Sequence, residues 1–321
     1  MKPILSIVIT TFKRNDYLFE CLDSIYASIS YYRSNSKNNF NQIEIVITDD
    51  DPKQTKEFIQ EINSKYEKRD ERCRLIYHKN LINKGDYFNR NIGINLASGQ
   101  WLKFIDDDDL IYDFSINYIL SAIEQNHKKL NLNTIIFYLR DNFRHLKFPI
   151  SLDSEGVLDF HYLNYGLFHC SLVSAVFKRE ELLNSGGFFC KRFYGDFFIL
   201  NKLAIAGEFI IYPMELGYYR MHENQESGYN RKHDEIRFNY ILITADLISK
   251  LDYYEKYRSI IKNDNFNFLK RGVKTLNLNL IINSTKLYFY LKSEKSIKNN
   301  QSGWNKFFKK NISIYGNEIK T

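Results

Sequence analysis

Trp101-Leu102-Lys103-Phe104-Ile105-Asp106-Asp107-Asp108-Asp109 is a mainly apolar run that ends abruptly in four acidic residues. Two similar runs precede it, Ile4 to Ile9 and Ile43 to Ile47, and they end at Thr10-Thr11 and at Asp49-Asp50-Asp51. Short apolar runs rich in β-branched residues are typical of strands that are buried on both faces. The runs therefore predict parallel strands of one sheet, each followed by polar residues.

Helical patterns separate these predicted strands. Leu18, Leu22, Ile25 and Ile29 recur at the spacing of one helix face. Strand–helix alternation of this kind predicts an α/β fold, with a mostly parallel, Rossmann-like sheet and helices on both of its faces. Further predicted segments are strands at Arg74–His78, Thr134–Leu139 and Leu172–Phe177, helices at Lys53–Tyr66, Tyr112–Gln125 and Gly195–Ala206, a surface loop at Tyr31–Gln42, and helices only from Arg231 onward.

The composition of the 321-residue chain is that of a globular protein with a sizeable core. Hydrophobic residues make up 44%, aromatic residues 16% and charged residues 26% of the chain, which excludes wholesale disorder, collagen and coiled-coil arrays. No window has the roughly 18 uninterrupted apolar residues of a membrane span, and we expect no signal peptide. The four cysteines are widely scattered, so we expect reduced thiols in a cytoplasmic protein.

The net charge of +7 is distributed unevenly along the chain. Residues 250–321 carry 15 Lys and Arg against 5 Asp and Glu, so residues 1–249 have a small acidic surplus. Aromatic residues stand beside lysines in 287–292 and 304–310, a combination that suits the headgroup zone of an anionic bilayer. A solvated helical face and a nucleic-acid-binding surface are the alternatives for this segment, and we favour the membrane surface.

The acidic strand ends indicate a cation site. Ligands of open α/β sheets bind at the carboxyl ends of the strands, and two carboxylate clusters meeting there would repel each other strongly without a cation. Oxygen ligands favour Mg²⁺ or Mn²⁺, which bind carboxylates together with substrate phosphates. Glycine-rich phosphate loops are absent, which argues against NAD-type and P-loop enzymes. Arg90 and Lys84 are candidate phosphate neighbours.

The order and spacing of the motifs from residue 3 to residue 228 resemble those of the family-two glycosyltransferases of the GT-A fold. The motifs are Ser6 to Phe12, Ile47 to Asp50, Asn89 to Gly93, Phe104 to Asp109, Gly186 to Phe188, Gly195-Asp196 and Tyr219 to His222. Two positions depart from the family pattern. Gly195 stands where an acidic residue is usual, and Asp51-Pro52 replaces small residues after the acidic pair of the second strand.

The resemblance implies a role for each matched position. The implied donor contacts are Thr10, Thr11, Asp50, Arg90, Asp106 and Arg220. The implied ligands of Mn²⁺ or Mg²⁺ are Asp108, Asp106 and His222, and Asp196 matches the catalytic base. Each position also has a structural alternative: Asp106–Asp109 as a helix N-terminus, Asp49–Asp51 and Asp196 as helix caps, Arg90 as a surface arginine, and His222 as a structural histidine.

The resemblance further implies metal-dependent, inverting transfer of a hexose from a UDP-sugar to a lipid-linked saccharide during cell-surface polysaccharide synthesis. Residues 1–230 would form the catalytic domain, with a nucleotide-sugar half at about 1–110 and an acceptor half at about 111–230. Residues 231–321 would form a basic helical extension that attaches the enzyme to the inner face of the cytoplasmic membrane. Neither a nucleic-acid partner nor a particular oligomeric state is implied.

One alternative from another class fits the same acidic run. Phe104 to Leu110 matches the pattern of haloacid-dehalogenase-like phosphatases, in which Asp106 would be a phosphorylated nucleophile and Asp108 the acid/base, with Mg²⁺ as cofactor. That motif normally lies on the first strand of its sheet, whereas here another acidic strand end precedes it. The glycosyltransferase hypothesis is therefore favoured.

Overall fold

The computed structural model describes residues 2–36, 42–188, 195–221, 233–248, 251–252 and 255–275, together with Ile282, Ser284, Thr285, Leu287 and Tyr288. The strands in this part are β1 Leu5–Thr11, β2 Ile43–Asp49, β3 Cys73–Lys79, β4 Trp101–Asp106, β5 Leu110–Ile111, β6 Leu132–Phe137, β7 Ile150–Leu152, β8 Ala175–Lys178, β9 Glu208–Tyr212 and β10 Gly217–Tyr218. The helices are α1 Asn15–Asn35, α2 Lys56–Tyr66, α3 Asp86–Leu96, α4 Ser115–Gln125, α5 Ser154–Asp159, α6 Arg179–Asn184, α7 Gly195–Ala206, α8 His233–Ile248 and α9 Glu255–Thr275.

Eight of these strands form one mixed sheet in the order β3-β2-β1-β4-β8-β6-β9-β7. The pairs β3–β2, β2–β1, β1–β4 and β6–β9 are parallel, while β8 and β7 run antiparallel to their neighbours. This is the mostly parallel, helix-covered sheet that the strand–helix alternation and the resemblance imply. β5 and β10 form a separate antiparallel ribbon.

Side chains alternate between two cores, one on each face of the sheet. Along β1, Ile7 and Ile9 enter a core with α1, α2 and α4, whereas Val8 enters a second core with α3, α7, α8 and α9. A strand repeats every two residues, so a continuous apolar strand serves both faces at once. The apolar run at the amino terminus is thus explained by the two-sided cover of the sheet.

Several predicted boundaries were wrong: the second helix begins at Lys56 rather than Lys53, and the strand expected at Thr134–Leu139 spans Leu132–Phe137. Residues 31–35 were expected in a surface loop but continue α1, because Tyr32 extends the buried face formed by Ile25 and Ile29 and is itself 1% exposed. The strand expected from Leu172 begins at Ala175, after a 3₁₀ turn. The fourth helix begins at Ser115 rather than Tyr112, because β5 first pairs with β10.

The predicted helical character after residue 231 is confirmed by α8 and α9. Among the described helices, none combines the length and the apolar character that crossing a bilayer requires. The lysine- and aromatic-rich stretch 304–310 and most of 287–292 lie outside the described residues. The division into domains at residue 230 stays a prediction, since residues 222–232 also lie outside them.

Candidate active site

The carboxyl ends of β1, β2 and β4 meet at one edge of the sheet, as predicted. In the strand register, Thr10 lies opposite Asp106 and Thr11 lies opposite Asp49. The Thr10 hydroxyl donates a hydrogen bond to Asp106 Oδ1 at 2.9 Å, and Arg90 Nη2 donates to the same oxygen at 2.5 Å. Asp106 is therefore held from two sides.

Asp107 organises the turn after β1. Its carboxylate accepts hydrogen bonds from the Thr11 hydroxyl at 2.6 Å, from the backbone N–H of Phe12 at 3.4 Å and from Arg14 Nη1 at 3.0 Å. Lys13 lies between these donors and adopts a left-handed φ of 59°, which directs the chain back toward the acidic run. Burial raises the pKa of Asp107 to about 7. Within the acidic run, the role of Asp107 is thus to hold the turn after β1 in place.

The other three members form a candidate metal centre. One carboxylate oxygen each from Asp106, Asp108 and Asp109 lies within 4.8 Å of the other two. Burial, followed by repulsion from Asp106 and Asp108, raises the pKa of Asp109 to about 7. Such crowding of oxygen donors fits Mg²⁺ or Mn²⁺, whose charge would relieve the repulsion. Arg14 Nη1 partly balances it by donating to Asp108 Oδ2 at 2.6 Å.

The acidic run is not a helix N-terminus, because β5 follows it directly and α4 begins only at Ser115. Asp106 and Asp108 were predicted as ligands, whereas Asp109 and the balancing Arg14 were missed. Their signals were present in the sequence: Asp109 belongs to the same acidic run, and Arg14 follows the end of β1 by three residues.

Asp50 connects the end of β2 to the loop before α3. Its two carboxylate oxygens accept hydrogen bonds from the Asn80 side chain at 2.8 Å and from the backbone N–H groups of Lys84 at 2.8 Å and Gly85 at 2.7 Å. The capping alternative for this acidic stretch is wrong in its simple form, because Thr55 caps α2. Contact between Asp50 and a nucleotide base stays a prediction.

Arg90 is buried, so its interpretation as a surface arginine is wrong. The residue is 4% exposed, and it pairs with Asp86 on its own helix and with Asp106 at the end of β4. Its Nε atom is buried without a hydrogen-bond partner. An arginine placed in this way joins α3 to the acidic run and supplies positive charge beneath it.

Asp196 lies in the first turn of α7, with its Oδ1 atom buried and without a hydrogen-bond partner. Burial raises the pKa of Asp196 to about 6, and repulsion from Asp106 adds to the rise, while Arg90 and Tyr87 act in the opposite direction. An unpartnered carboxylate oxygen with this pKa can accept a proton near neutral pH. Asp196 is the second residue of α7 and therefore lies after the N-cap position, which argues against the capping alternative.

Gly195 departs from the family pattern for a steric reason. A Cβ atom at this position would lie 2.3 Å from two ring carbons of Tyr87. The ring also stacks on Phe188 with centroids 5.9 Å apart, so it has little room to move. Tyr87 was missed as a site residue, and its signal, an aromatic one position after the N-terminus of α3, is too common to single it out.

We expect Gly195→Ala to destabilise the fold by about 1–3 kcal/mol, because the added methyl group overpacks against the Tyr87 ring. Chemical denaturation followed by circular dichroism measures this change. Gly186→Ala is the steric control, since no atom lies within 4 Å of a Cβ there, although its φ of 81° adds backbone strain. If Tyr87→Ala is added, the further substitution Gly195→Ala should lower the free energy of unfolding by less than it does in the presence of Tyr87. An unchanged unfolding midpoint for Gly195→Ala alone would contradict the predicted clash.

The segment that carries Arg220 reaches the acidic run through the pairing of β10 with β5. The Arg220 backbone N–H donates to Asp109 Oδ1 at 3.3 Å. Its guanidinium bonds Glu20 at 2.5 Å and lies 4.6 Å from the centre of the Tyr17 ring. A donor contact by Arg220 stays a prediction. His222, predicted as a metal ligand or a structural histidine, lies outside the described residues.

A protein-family comparison gives a match to the model described as Glycosyl transferase family 2 over residues 6–183. One curated relative, GalNAc(5)-diNAcBac-PP-undecaprenol beta-1,3-glucosyltransferase of Campylobacter jejuni, is 24% identical over 63% of this chain and 53% of its own. The chain spans about half the length of the first curated relatives that it matches.

Two solved structures share the fold. Residues 1–349 of TarS from S. aureus, solved with UDP-GlcNAc, superpose with a TM-score of 0.62 at 17% identity, covering 91% of this chain and 81% of that one. The mannosyltransferase PcManGT from Pyrobaculum calidifontis, solved with GDP-Man and Mn²⁺, gives a TM-score of 0.51 at 14% identity, covering 98% and 86%.

Proposed function

Because the chain belongs to glycosyl transferase family 2, we propose that it is an inverting glycosyltransferase that moves a hexose from a UDP-sugar to a saccharide acceptor. One observation carries the proposal. The unpartnered Oδ1 atom of Asp196 lies close enough to Arg90 and Asp106 for their charges to shift its pKa. A proton acceptor at the start of α7 thus lies near a group of carboxylates suited to a divalent ion at the end of β4.

In the proposed reaction, the acceptor hydroxyl oxygen forms a bond to the anomeric carbon of the donor sugar. The bond from that carbon to the diphosphate oxygen breaks, and its electron pair leaves with UDP. Asp196 takes the hydroxyl proton as the new bond forms. Attack from the side opposite the leaving group inverts the anomeric configuration. Arg90 contributes by holding Asp106 and by limiting the rise in the Asp196 pKa.

Asp106, Asp108 and Asp109 are the residues that would hold Mn²⁺ or Mg²⁺, with His222 as the further predicted ligand. When bound there, such an ion neutralises the charge that develops on a departing diphosphate. The close grouping of these three carboxylates, which offer the oxygen ligands that both ions prefer, supports this assignment. PcManGT, a structural neighbour, was solved with Mn²⁺.

The proposed donor is a UDP-sugar. Structures of TarS, which shares the fold, contain UDP and UDP-GlcNAc. The proposed donor contacts are the six residues implied by the resemblance: Thr10, Thr11, Asp50, Arg90, Asp106 and Arg220. Of these, Thr10 and Arg90 both donate hydrogen bonds to Asp106. A substitution of any one of the three should therefore alter the position of the other two side chains.

The phosphatase alternative is not favoured. Family membership argues against it, and β4, which carries the motif, is the fourth strand along the chain, whereas the phosphatase motif normally lies on the first. Asp106 Oδ1, which would belong to the phosphorylated nucleophile, already accepts hydrogen bonds from Thr10 and Arg90.

A thermal-shift panel of nucleotide sugars with and without Mn²⁺ tests the proposed function. We expect one UDP-sugar to raise the melting temperature, and EDTA to remove the rise. At a ligand concentration of 100 times Kd the stabilisation is about 2.7 kcal/mol, which is readily measured. Stabilisation by no nucleotide sugar, together with phosphate release from p-nitrophenyl phosphate, would instead establish the phosphatase alternative.

We also propose that the acceptor is lipid-linked and that the enzyme attaches to the inner face of the cytoplasmic membrane during cell-surface polysaccharide synthesis. The Campylobacter jejuni relative is named for an undecaprenol-linked acceptor, and residues 250–321 of this chain carry a basic surplus. Basic residues near an anionic surface contribute about 1 kcal/mol each.

Vesicle flotation tests this attachment. We expect the full chain to float with vesicles that contain phosphatidylglycerol and to remain behind with pure phosphatidylcholine. Lys309→Glu combined with Lys310→Glu should weaken flotation, and salt should weaken it further. Equal recovery with both vesicle types would overturn the proposal, and strong salt-sensitive RNA binding in its place would support the nucleic-acid alternative.

A further inference from the structure

A cavity of about 520 Å³ lies between the C-terminal helices α8 and α9, the start of α7, and the π-helical turn Phe160–Tyr165. Helix α7 contributes Phe197, and α8 contributes Tyr240. This volume is within the usual range of small-molecule sites, about 300–1,000 Å³. The acidic run does not line the cavity, so it is separate from the candidate metal centre.

Aromatic side chains are prominent among the residues that line the cavity, and two of them pack on each other. Phe197 and Tyr240 stack with their ring centroids 4.4 Å apart and their planes 20° apart. Asp264 and Asn267 stand exposed on α9 at the rim, whereas the Thr244 hydroxyl is already hydrogen-bonded to the Tyr162 hydroxyl and to the Tyr240 carbonyl. Within the described part of the chain, no lysine or arginine lines the cavity.

His161 presents a hydrogen-bond donor at this wall. The residue is 8% exposed, and its Nδ1 atom accepts the Phe168 backbone N–H at 3.0 Å. Burial lowers the pKa of His161 well below its usual value, so the ring is neutral and carries its proton on Nε2. No described residue bonds Nε2, which leaves this donor available to an occupant of the cavity.

The cavity adjoins the proposed base. Phe197 follows Asp196 directly in α7. Phe197 also stacks on Tyr240 with their ring centroids 4.4 Å apart, so the residue next to the proposed base is in direct contact with the cavity wall formed by α8.

We propose that this cavity binds an uncharged sugar ring of the acceptor, a ring other than the one whose hydroxyl reacts. The inference rests on the proposed function. It goes further by naming the chemical class of ligand, an uncharged sugar, that α8 and α9 recognise. Aromatic faces suit the C–H face of a sugar ring, and His161, Asp264 and Asn267 offer partners for its hydroxyl groups. A hydrocarbon chain would leave those polar groups unpaired, at a cost of about 1–3 kcal/mol each if they were buried by it.

A phosphate group fits the cavity poorly. Phosphate sites are usually lined by arginine or lysine, whereas the described wall has neither and has an acidic residue at its rim. The family match ends at residue 183, before α7, α8 and α9. Most of the cavity wall therefore belongs to the part of the chain outside the match, where relatives are free to differ in acceptor choice.

Saturation-transfer NMR with the full chain tests the proposal. The probes are the methyl β-glycosides of glucose, galactose, N-acetylglucosamine and N-acetylgalactosamine, with farnesol as the hydrocarbon probe. We expect at least one glycoside to bind, and Asn267→Ala to weaken it about 3- to 10-fold through loss of a hydrogen bond. Tyr240→Ala should weaken it at least about tenfold, because the stacking surface is lost.

Asn263→Ala is the matched control, since Asn263 lies one turn earlier on α9, is exposed and does not line the cavity. If no glycoside binds, if Asn267→Ala and Asn263→Ala behave alike, or if farnesol alone is sensitive to Asn267→Ala, the proposal is overturned. Stabilisation by a nucleotide sugar is measured in parallel. If a nucleotide sugar stabilises the protein but no glycoside binds, only the sugar site is refuted. If a glycoside binds but no nucleotide sugar stabilises the protein, only the proposed function is refuted.

Discussion

Asp196→Asn is expected to lower kcat about 10²- to 10⁴-fold while changing the affinity for the UDP-sugar by less than about twofold. The amide keeps the size of the carboxylate but cannot accept the acceptor proton. Donor affinity should be retained because Asp196 has no hydrogen bond through Oδ1 that the substitution would break. Initial-rate kinetics and thermal shift with the donor measure the two quantities.

The control for this substitution is Asp141→Asn, which removes an exposed carboxylate whose side chain is 92% accessible. It should leave kcat unchanged. A normal kcat for Asp196→Asn would remove Asp196 from the role of base, and a parallel loss of donor affinity would indicate a structural role instead.

The pH profile supplies a second readout for Asp196. Its pKa is raised to about 6, so the carboxylate is ionised and active as a base above that pH. We expect log kcat/KM to fall with a slope near one as the pH drops below about 6, and to level off above it. The residual activity of Asp196→Asn should lack this acid limb. An identical limb in both proteins would assign the titration to another group.

Asp108→Asn is expected to abolish the dependence of donor binding on divalent ions and to lower the transfer rate about 10²- to 10³-fold. Metal ions contribute several kcal/mol to the stabilisation of developing charge, and each 1.36 kcal/mol corresponds to a factor of ten. The substitution removes one of three clustered carboxylates and the negative charge that Arg14 pairs with. Titration of Mn²⁺ by electron paramagnetic resonance measures the loss of binding directly.

Asp51→Asn is the matched control for Asp108→Asn, because it removes the same charge just after β2, at the same edge of the sheet, without belonging to the carboxylate group. Its Mn²⁺ affinity should stay within about twofold of the unsubstituted protein. If both variants lost Mn²⁺ affinity equally, the loss would be explained by the change in net charge. Unchanged Mn²⁺ binding in Asp108→Asn would exclude the residue as a ligand.

The sequence predicted those parts of the site that depend on strand order. Thr10 and Asp106 are 96 residues apart, yet both follow apolar runs, and parallel pairing places such ends together. Tyr87 could not be predicted in the same way, because its importance depends on its distance to Gly195 in the folded protein. Likewise, the burial of Arg90 depends on packing between α3 and the sheet, which helical spacing alone does not specify.

The cavity residues were also beyond sequence reasoning, for a different reason. His161 and Tyr162 lie in a π-helical turn, where one extra residue per turn changes the face to which each side chain points. A pattern based on 3.6 residues per turn assigns these residues to the wrong faces. They contact α8 and α9 because tertiary packing brings together residues that are about 80 positions apart in the chain, such as Tyr162 and Thr244.

Helices α8 and α9 share one apolar core with strands β6, β8 and β9. Ile243, Ala245 and Tyr257 are each at most 2% exposed and belong to the same buried cluster as Phe209. A chain shortened at residue 230 would thus leave apolar surface uncovered, and we expect it to aggregate during expression. In evolution, these helices cannot be exchanged as a free module: any change in the cavity that they line has to arise by substitution within a common hydrophobic interior, one compatible residue at a time.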